Sequence, residues 1–394
     1  MNIAIIGGGP AGFAAAITLA RKKYNVTILE KNSSVLKKLL LTGNGKCNYF
    51  NNVQRVDKYH SSSDIKKIIT KENIGKVNNF WNELGIIPIV KNGYFYPFSE
   101  SSSSMKSALV NMALSLGVNI VVDREIIGID EINGKVKVTA KSVSEIYDKV
   151  IIATGSLAYP KTGSTGFGYE VAKRYGINVV DVNPSLVQLI TDTGMESKWK
   201  GIRSHVKVKY KNHIEEGEIQ LTDYGVSGIC VFNISRDISI NLRNSKIETI
   251  EINFVPWVLS DLKEFLDERN KLLTNRDITE LCDAFINYKL LFAICSKLKI
   301  DTNKTWDGLS GDEKNKLCNN LTNMQVRVVG TKGYDFAQVC SGGIDLHDLD
   351  SNLASKNNPN LYFVGEVLDL DGDCGGYNLT IAILSGILVG DAIC

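Results

Sequence analysis

The 394 residues contain no Cys-x-x-Cys pair, no long block of like charge and no apolar run of the roughly 18 residues a membrane helix needs. Each absence removes a class of function. The eight cysteines, at 47, 230, 282, 295, 318, 340, 374 and 394, are scattered, which offers neither a zinc site nor a redox dithiol. The four histidines, at 60, 205, 213 and 347, are equally isolated. Lone imidazoles are usually surface or hydrogen-bonded groups, so no metal is expected. The stretch 381–389 is apolar but short, and Ser385 and Gly386 interrupt it. The first residues carry no basic segment and no long apolar core, so they do not read as a signal peptide. With the unpaired thiols, this points to a cytoplasmic protein with no membrane partner. Lys and Arg total 45 against 43 Asp and Glu, a net charge of +2. That balance lacks the basic stripe nucleic-acid binding uses, so no nucleic-acid partner is expected either.

What is present is a dinucleotide-binding pattern. Residues 3–6 form a short continuous apolar run, as in a strand buried on both faces of a parallel sheet. Gly7, Gly9 and Gly12 follow in Gly-x-Gly-x-x-Gly spacing; 13–23 reads as a helix, and 26–29 as a second strand ending at Glu30. Gly7 permits the tight turn, Gly9 lets a pyrophosphate approach the backbone, and Gly12 lets the helix pack close to the sheet. The helix start then offers free N–H groups to phosphate. Glu30 stands where an acid meets a ribose hydroxyl, and its charge would repel the 2′-phosphate of NADP. The motif alone does not choose between FAD and NAD.

Further along, residues 37–48 hold two glycines around Asn44 in a polar loop. It reads equally as a surface turn or as a loop over a cofactor, with Asn48 as a donor. Residues 64–84 suggest one or two surface helices, and 86–96 a strand pair turning at Asn92-Gly93. Residues 105–116 suggest an amphipathic helix capped by the preceding serines. Strands are expected at 118–122, 125–130 and 135–140, and a further apolar strand at 149–153 ends in Thr154-Gly155. The glycines at 163, 166 and 168 precede a helix at 169–175 but follow no strand, so they are not read as a second dinucleotide site. Residues 205–256 alternate as antiparallel strands do, and 261–300 has helical period. Near the C-terminus the N-terminal logic returns. Residues 360–364 form an apolar strand ending in Gly365-Glu366, and after Asp371 the pair Gly375-Gly376 opens a helix from 379 to 392. A helix start can stabilise negative charge on a reduced flavin.

These pieces imply an α/β fold: a discontinuous Rossmann-type domain, 1–187 with 338–394, and an inserted substrate domain, 188–337. The insert has a β part at about 188–256 and 321–337 and a small helical part at about 257–320.

With these residues in view, the chain resembles the BaiN/RdsA family of NAD(P)/FAD-dependent oxidoreductases, which includes an aminoacetone oxidase and a proposed bile-acid reductase. The resemblance runs nearly end to end. It rests on 5–12, on Leu-Leu-Thr-Gly-Asn-Gly-Lys-Cys-Asn at 40–48, on 94–99, on 153–168 and above all on 365–386. It implies bound FAD, so that the Rossmann-type domain is an FAD-binding domain. Gly7, Gly9, Pro10, Ala11 and Gly12 would hold the pyrophosphate, and Glu30 and Lys31 the adenosine end. Ile126 would offer its backbone to the adenine. Lys38, Thr42, Gly43, Asn44 and Asn48 belong to the cofactor loop. Thr154 and Gly155 line the crevice, and Gly365 and Glu366 reach the ribitol. Asp371, Gly376, Asn378 and Leu379 meet the pyrimidine end of the flavin. The chain departs from the family in Lys46 for Arg, Asp223 for His, Ile229 for Pro, and Cys340-Ser341 for a Thr-containing pair. The last three lie in or beside the inserted domain.

The resemblance makes the chain an FAD-dependent oxidoreductase, moving hydride between flavin N5 and a small organic substrate between the two domains. NAD(P)H is the candidate electron donor, binding transiently because no second nucleotide domain is evident. An amine oxidase releasing hydrogen peroxide is the rival enzyme, and an RNA-modifying flavoprotein the rival of another class. No general acid or base stands out; Tyr159, Lys46 and Cys340 are candidates by proximity to motifs alone.

Overall fold

The structure, a computed structural model, describes residues 1–258 and 261–394. These fall into two compact units: Met1–Pro184 with Gln338–Cys394, and Ser185–Ala337.

The first unit is built on five parallel strands: β1 (Asn2–Ile6), β2 (Asn25–Leu29), β3 (Asn119–Val121), β4 (Lys149–Ile152) and β5 (Leu361–Phe363). Their order in the sheet is β5-β4-β1-β2-β3, every pairing parallel. The runs are apolar rather than alternating because both faces are covered; Ile3, Ala4, Ile5, Val150, Ile151 and Ile152 are wholly buried. The helices of this unit are α1 (Pro10–Arg21), α2 (Lys71–Glu83), α3 (Ser102–Ser115), α4 (Phe167–Arg174) and α5 (Tyr377–Ala392). Helix α5 is apolar on nearly every side, and such a helix must be buried. It lies against α1 through two glycines. A Cβ on Gly386 would stand 2.4 Å from the Ala11 carbonyl oxygen and 2.8 Å from the Ala14 Cβ, and one on Gly390 2.6 Å from the Thr18 Cβ. Residues near both ends of the chain therefore share one core.

Besides the paired strands Val179–Ser185 and Val339–Ile344, three smaller antiparallel pieces belong to this unit. One is the meander Ile126–Ile132, Lys135–Ala140 and Ser144–Tyr147. Another joins Phe50–Asn51 to the hairpin of Pro88–Lys91 and Tyr94–Pro97. The third pairs Tyr59–His60 with Asp371–Gly372. The hairpin turns at Asn92 and Gly93, both with positive φ, as a tight turn of matching twist requires. Two expectations need correcting. The serines at 102–104 lie inside the first turn of α3, and Ser101 at its cap position makes no side-chain capping bond. Helix α2 is no mere surface helix: it buries Ile74, Val77, Phe80 and Trp81, and Thr70 caps it by accepting the Asn73 N–H.

In the second unit six strands close into an antiparallel barrel. Around the barrel they run Leu189–Thr191, Gly225–Ser227, His213–Leu221, Arg203–Tyr210, Glu248–Asn253 and Met324–Thr331. Inward residues such as Val206, Val208, Ile219, Ile250, Val326 and Val328 are fully buried. Within the stretch expected to hold only strands, Ile229–Asn241 is an α-helix. Cys230, Val231, Ile234 and Ile238 recur at helical spacing and enter the core of this unit, and that period outweighs the strand preference of Ile and Val. Four more helices follow: Leu262–Leu272, Ile278–Cys282, Tyr288–Leu298 and Gly311–Thr322. The helical part expected at 257–320 takes in residues 259 and 260, which lie outside the described residues. No described helix is long and apolar enough to cross a membrane.

Candidate functional site

The carboxyl ends of β1, β2, β4 and β5 deliver the glycine motif, Glu30, Thr154-Gly155 and Gly365-Glu366 to one edge of the parallel sheet, where ligands of such folds bind. Gly7 has φ +109, and a Cβ there would meet the Ala153 carbonyl oxygen at 2.4 Å. A Cβ on Gly12 would meet the Gly7 carbonyl at 2.3 Å, so only glycine lets α1 start this close to β1. Gly9 differs: a Cβ there would touch nothing within 4 Å. Nothing in the fold needs glycine at 9, so the open space before it is room for something else. Pro10 is the first residue of α1, Ala11 is buried behind it, and no side chain caps the helix. An uncapped helix start with a side-chain-free approach is suited by its electrostatics to phosphate.

Glu30 is buried, and its carboxylate organises the backbone. Oε2 accepts the Gly8 N–H at 2.8 Å, and Oε1 accepts Asn32 N–H at 2.8 Å and Asn32 Nδ2 at 2.7 Å. The Glu30 carbonyl accepts the Arg124 N–H at 2.8 Å, which draws the segment leading to Ile126 alongside. Lys31 points its ammonium toward Thr165 at 3.4 Å. Glu30, Lys31 and Ile126 thus gather at one end of the crevice.

The middle is marked by an ion pair that sequence reasoning did not foresee. Lys38 Nζ lies 2.5 Å from Glu366 Oε2, both side chains largely enclosed. Ser156, fully buried, also donates to Glu366, at 3.4 Å. Gly365, with φ +78, donates its N–H to Ser385 Oγ at 2.8 Å, and a Cβ on it would press on Ala11 at 2.8 Å. Gly155 also has positive φ. Cys340 is buried, and burial pushes its thiol up to about 11, so it is no ready nucleophile or base.

Loop residues 42–48 turn through three successive positive-φ residues, Gly43, Asn44 and Gly45. A Cβ on Gly43 would meet the Asn48 nitrogen at 2.9 Å. The Thr42 hydroxyl donates to the Leu39 carbonyl at 2.7 Å. The amide orientation that satisfies Asn48 has its Nδ2 donate to the carbonyls of Phe50 and Phe95, at 3.0 and 3.2 Å. Lys46 sits outside, 3.4 Å from Glu100. Tyr159 holds a left-handed φ of +56 before a short turn.

At the far end, Gly376 caps α5 in the left-handed region, and a Cβ there would strike the Phe50 backbone at 2.8 Å. No side chain caps α5. Asn378 is committed internally: its Oδ1 accepts the Gly372 N–H at 2.9 Å and its Nδ2 donates to the Gly372 carbonyl at 2.7 Å. Its side chain braces the loop carrying the buried Asp371 and does not cap the backbone N–H groups of the first turn, beside Leu379.

Two residues before the glycine pair stands a cluster the sequence did not reveal. Asp373 is buried; its carboxylate takes Lys58 Nζ at 2.9 Å on one oxygen and His60 Nε2 at 2.9 Å on the other. Burial alone would raise its pKa, but the bonds from His60 and Lys58 outweigh that and hold it below the usual range. A depressed carboxyl stabilises the fold above the unfolded value of about 3.9 and loses that contribution as pH falls through the folded value. Asp373→Asn is therefore expected to lower the melting temperature at pH 7, with a smaller gap to the parent at pH 3, below the unfolded value. Parallel thermal melts at the two pH values check this; an equal gap at both would refute it.

Among the described residues no cluster of three or more His, Cys, Asp or Glu could hold a metal ion.

Comparison with known proteins gives four findings. A family model described as HI0933-like protein Rossmann domain matches residues 1–392. A Clostridium scindens protein named 3-dehydro-bile acid delta(4,6)-reductase is 30% identical over 402 residues, covering 99% of this chain and 98% of that one. An Escherichia coli protein named ribosomal RNA dihydrouridine synthase is 26% identical, covering 95% and 93%. Among solved structures, a flavocytochrome c3 fumarate reductase superposes with a TM-score of 0.51 at 13% identity, over 99% of this chain and 77% of that one, a likeness of fold.

Proposed function

The chain belongs to the HI0933-like Rossmann family, and from that premise we propose that this FAD-dependent oxidoreductase is an NAD(P)H-linked reductase of a carbon–carbon double bond conjugated to a carbonyl. The observation that carries the reading is the side-chain-free space before Gly9 at the uncapped start of α1, with Glu30 fixed at the end of β2. These residues fit a dinucleotide: Gly7–Gly12 for the pyrophosphate, Glu30 for the ribose, Glu366 for the ribitol and the first turn of α5 for the pyrimidine end. Bound FAD would supply hydride acceptance and donation at N5. The protein supplies the rest. Ala11 and Gly12 turn backbone N–H groups toward phosphate, Glu30 orders the turn around Gly8, and Lys38 offsets the charge of Glu366. The start of α5 presents a positive dipole end where negative charge develops.

The substrate class comes from the names of the two relatives. A delta(4,6)-reductase acting on a 3-dehydro-bile acid and a dihydrouridine synthase both saturate a carbon–carbon bond conjugated to a carbonyl. A small conjugated ketone is the first reading. Uridine in ribosomal RNA is the second, favoured by the name of the E. coli relative. Against it, the outward cations of strand Arg203–Tyr210 are matched by Glu216, Glu218 and Glu251. The test is anaerobic titration of the purified, FAD-loaded protein with NADH and NADPH. Bleaching of the flavin band by either is the expected result. Bleaching by a primary amine, with hydrogen peroxide on readmitting air, would instead establish the oxidase alternative.

A further inference from the structure

The hairpin of Pro88–Lys91 and Tyr94–Pro97 has two faces. Phe95 points to the core, with its ring 5.5 Å from Phe50 and 6.3 Å from Tyr49 between centroids. Side chains alternate along a strand, so Tyr94 and Tyr96 point the other way. On that side lie the cofactor loop at Gly43 and the turn at Gly375 that leads into α5. A Cβ on Gly375 would stand 2.6 Å from Tyr94 Cε1, and one on Gly43 3.6 Å from Tyr96 Cε1. The Tyr96 ring is half-buried, and its hydroxyl has no hydrogen-bond partner among the described residues. Burial first, then the charges of Cys374 and Glu100, raise its pKa, so the phenol keeps its proton. Its cross-strand neighbour is Ile89. Beyond it the same face continues into Ile87 and Phe98, 71% and 69% exposed.

Resting on the reading above, we propose that Tyr96 selects the substrate by donating its phenol hydrogen bond to the conjugated carbonyl, while Ile89, Ile87 and Phe98 support an apolar body. The bond draws electron density toward the carbonyl oxygen. The electron pair from NAD(P)H arrives as hydride on the β carbon, a proton from water reaches the α carbon, and the π bond between them breaks. Tyr96 is not consumed.

The test uses FAD-loaded parent and Tyr96→Phe proteins with 2-cyclohexenone, a minimal conjugated ketone, as the probe. Reducing the flavin with dithionite makes the result independent of the nicotinamide donor. Reoxidation by ferricyanide, which has no carbonyl, reports an intact flavin. The expected result is reoxidation by the enone roughly 100-fold slower in Tyr96→Phe, with affinity for the enone, read from the spectrum of the oxidised flavin, weakened roughly fivefold or more. Equal rates and affinities in the two proteins, or a parent flavin that the enone never reoxidises, would overturn the proposal. If NADH and NADPH fail to bleach the flavin while the enone distinguishes the two proteins, the donor assignment falls and Tyr96 stands.

Discussion

Gly386→Leu is expected to cost the protein its cofactor and much of its stability together. The glycine sits where α5 crosses α1, and even a Cβ there would stand 2.4 Å from the Ala11 carbonyl and 2.8 Å from the Ala15 nitrogen. Those neighbours are backbone atoms of a helix buried on its inner side, so they cannot turn aside as a flexible side chain could. Overpacking of this kind costs about 3 kcal/mol at the upper end of the usual range. For a unit of this size that is a drop of roughly 6–12 °C in melting temperature. The structure relieves the clash by moving α5 off α1. Because the start of α5 is to hold the flavin and the start of α1 the pyrophosphate, separating them disrupts both halves of the site. Thermal melts and the flavin absorbance retained through gel filtration measure the two effects. A variant that melted with the parent and stayed yellow would show that the helix contact does not couple them.

Gly9→Glu is expected to separate what Gly386→Leu joins. A Cβ at position 9 meets nothing within 4 Å and the φ of this residue is −86°, so the fold accepts a side chain there. Stability of the cofactor-free protein should stay within about 0.5 kcal/mol, as at unconstrained surface sites. A carboxylate in the phosphate space is another matter. Two like charges about 4 Å apart repel by about 4 kcal/mol at the effective dielectric of a protein surface, roughly a thousandfold in affinity. The variant should purify colourless, fold with the cofactor-free parent's melting temperature, and gain no thermal stability from added FAD, where the parent gains it by mass action. Titration of both apoproteins with FAD, followed by flavin fluorescence and by melting, checks this. Undiminished binding would place the pyrophosphate elsewhere.

The two glycines also show which parts of the fold could be read from residue order. Gly12 acts on the Gly7 carbonyl five residues away, and the strand, turn and helix around it leave a local trace. The same holds for the Asn92-Gly93 turn and the unalternating apolar runs of β1 and β4. What could not be read was settled by distant partners. Lys38 and Glu366 are 328 residues apart, and nothing near either announces the other. Asp373 takes Lys58 and His60 from the far end of the chain, so its carboxylate looked like one more polar loop residue. Asn48 and Asn378, assigned by resemblance to the cofactor site, spend their side chains on neighbouring backbone, a commitment visible only once that backbone is in place. The helix Ile229–Asn241 hid for a different reason: rich in Ile and Val, it mimics a strand until burial reveals its 3.6-residue period. Tyr96 passed unnoticed because alternation along a strand says that it faces away from Phe95 but not what waits on that side.

The parallel sheet takes its edge strand β5, and α1 takes its close-packed neighbour α5, from the far side of the inserted unit. All six barrel strands lie between Leu189 and Thr331, so they leave the ribosome earlier. During synthesis the barrel is complete while the nucleotide fold still shows a bare sheet edge and an uncovered apolar helix. Domains fold as units once their residues have emerged, so maturation runs from the middle of the chain outward. A flavin held by the starts of both α1 and α5 would be gripped in full only once the returning segment has joined the sheet.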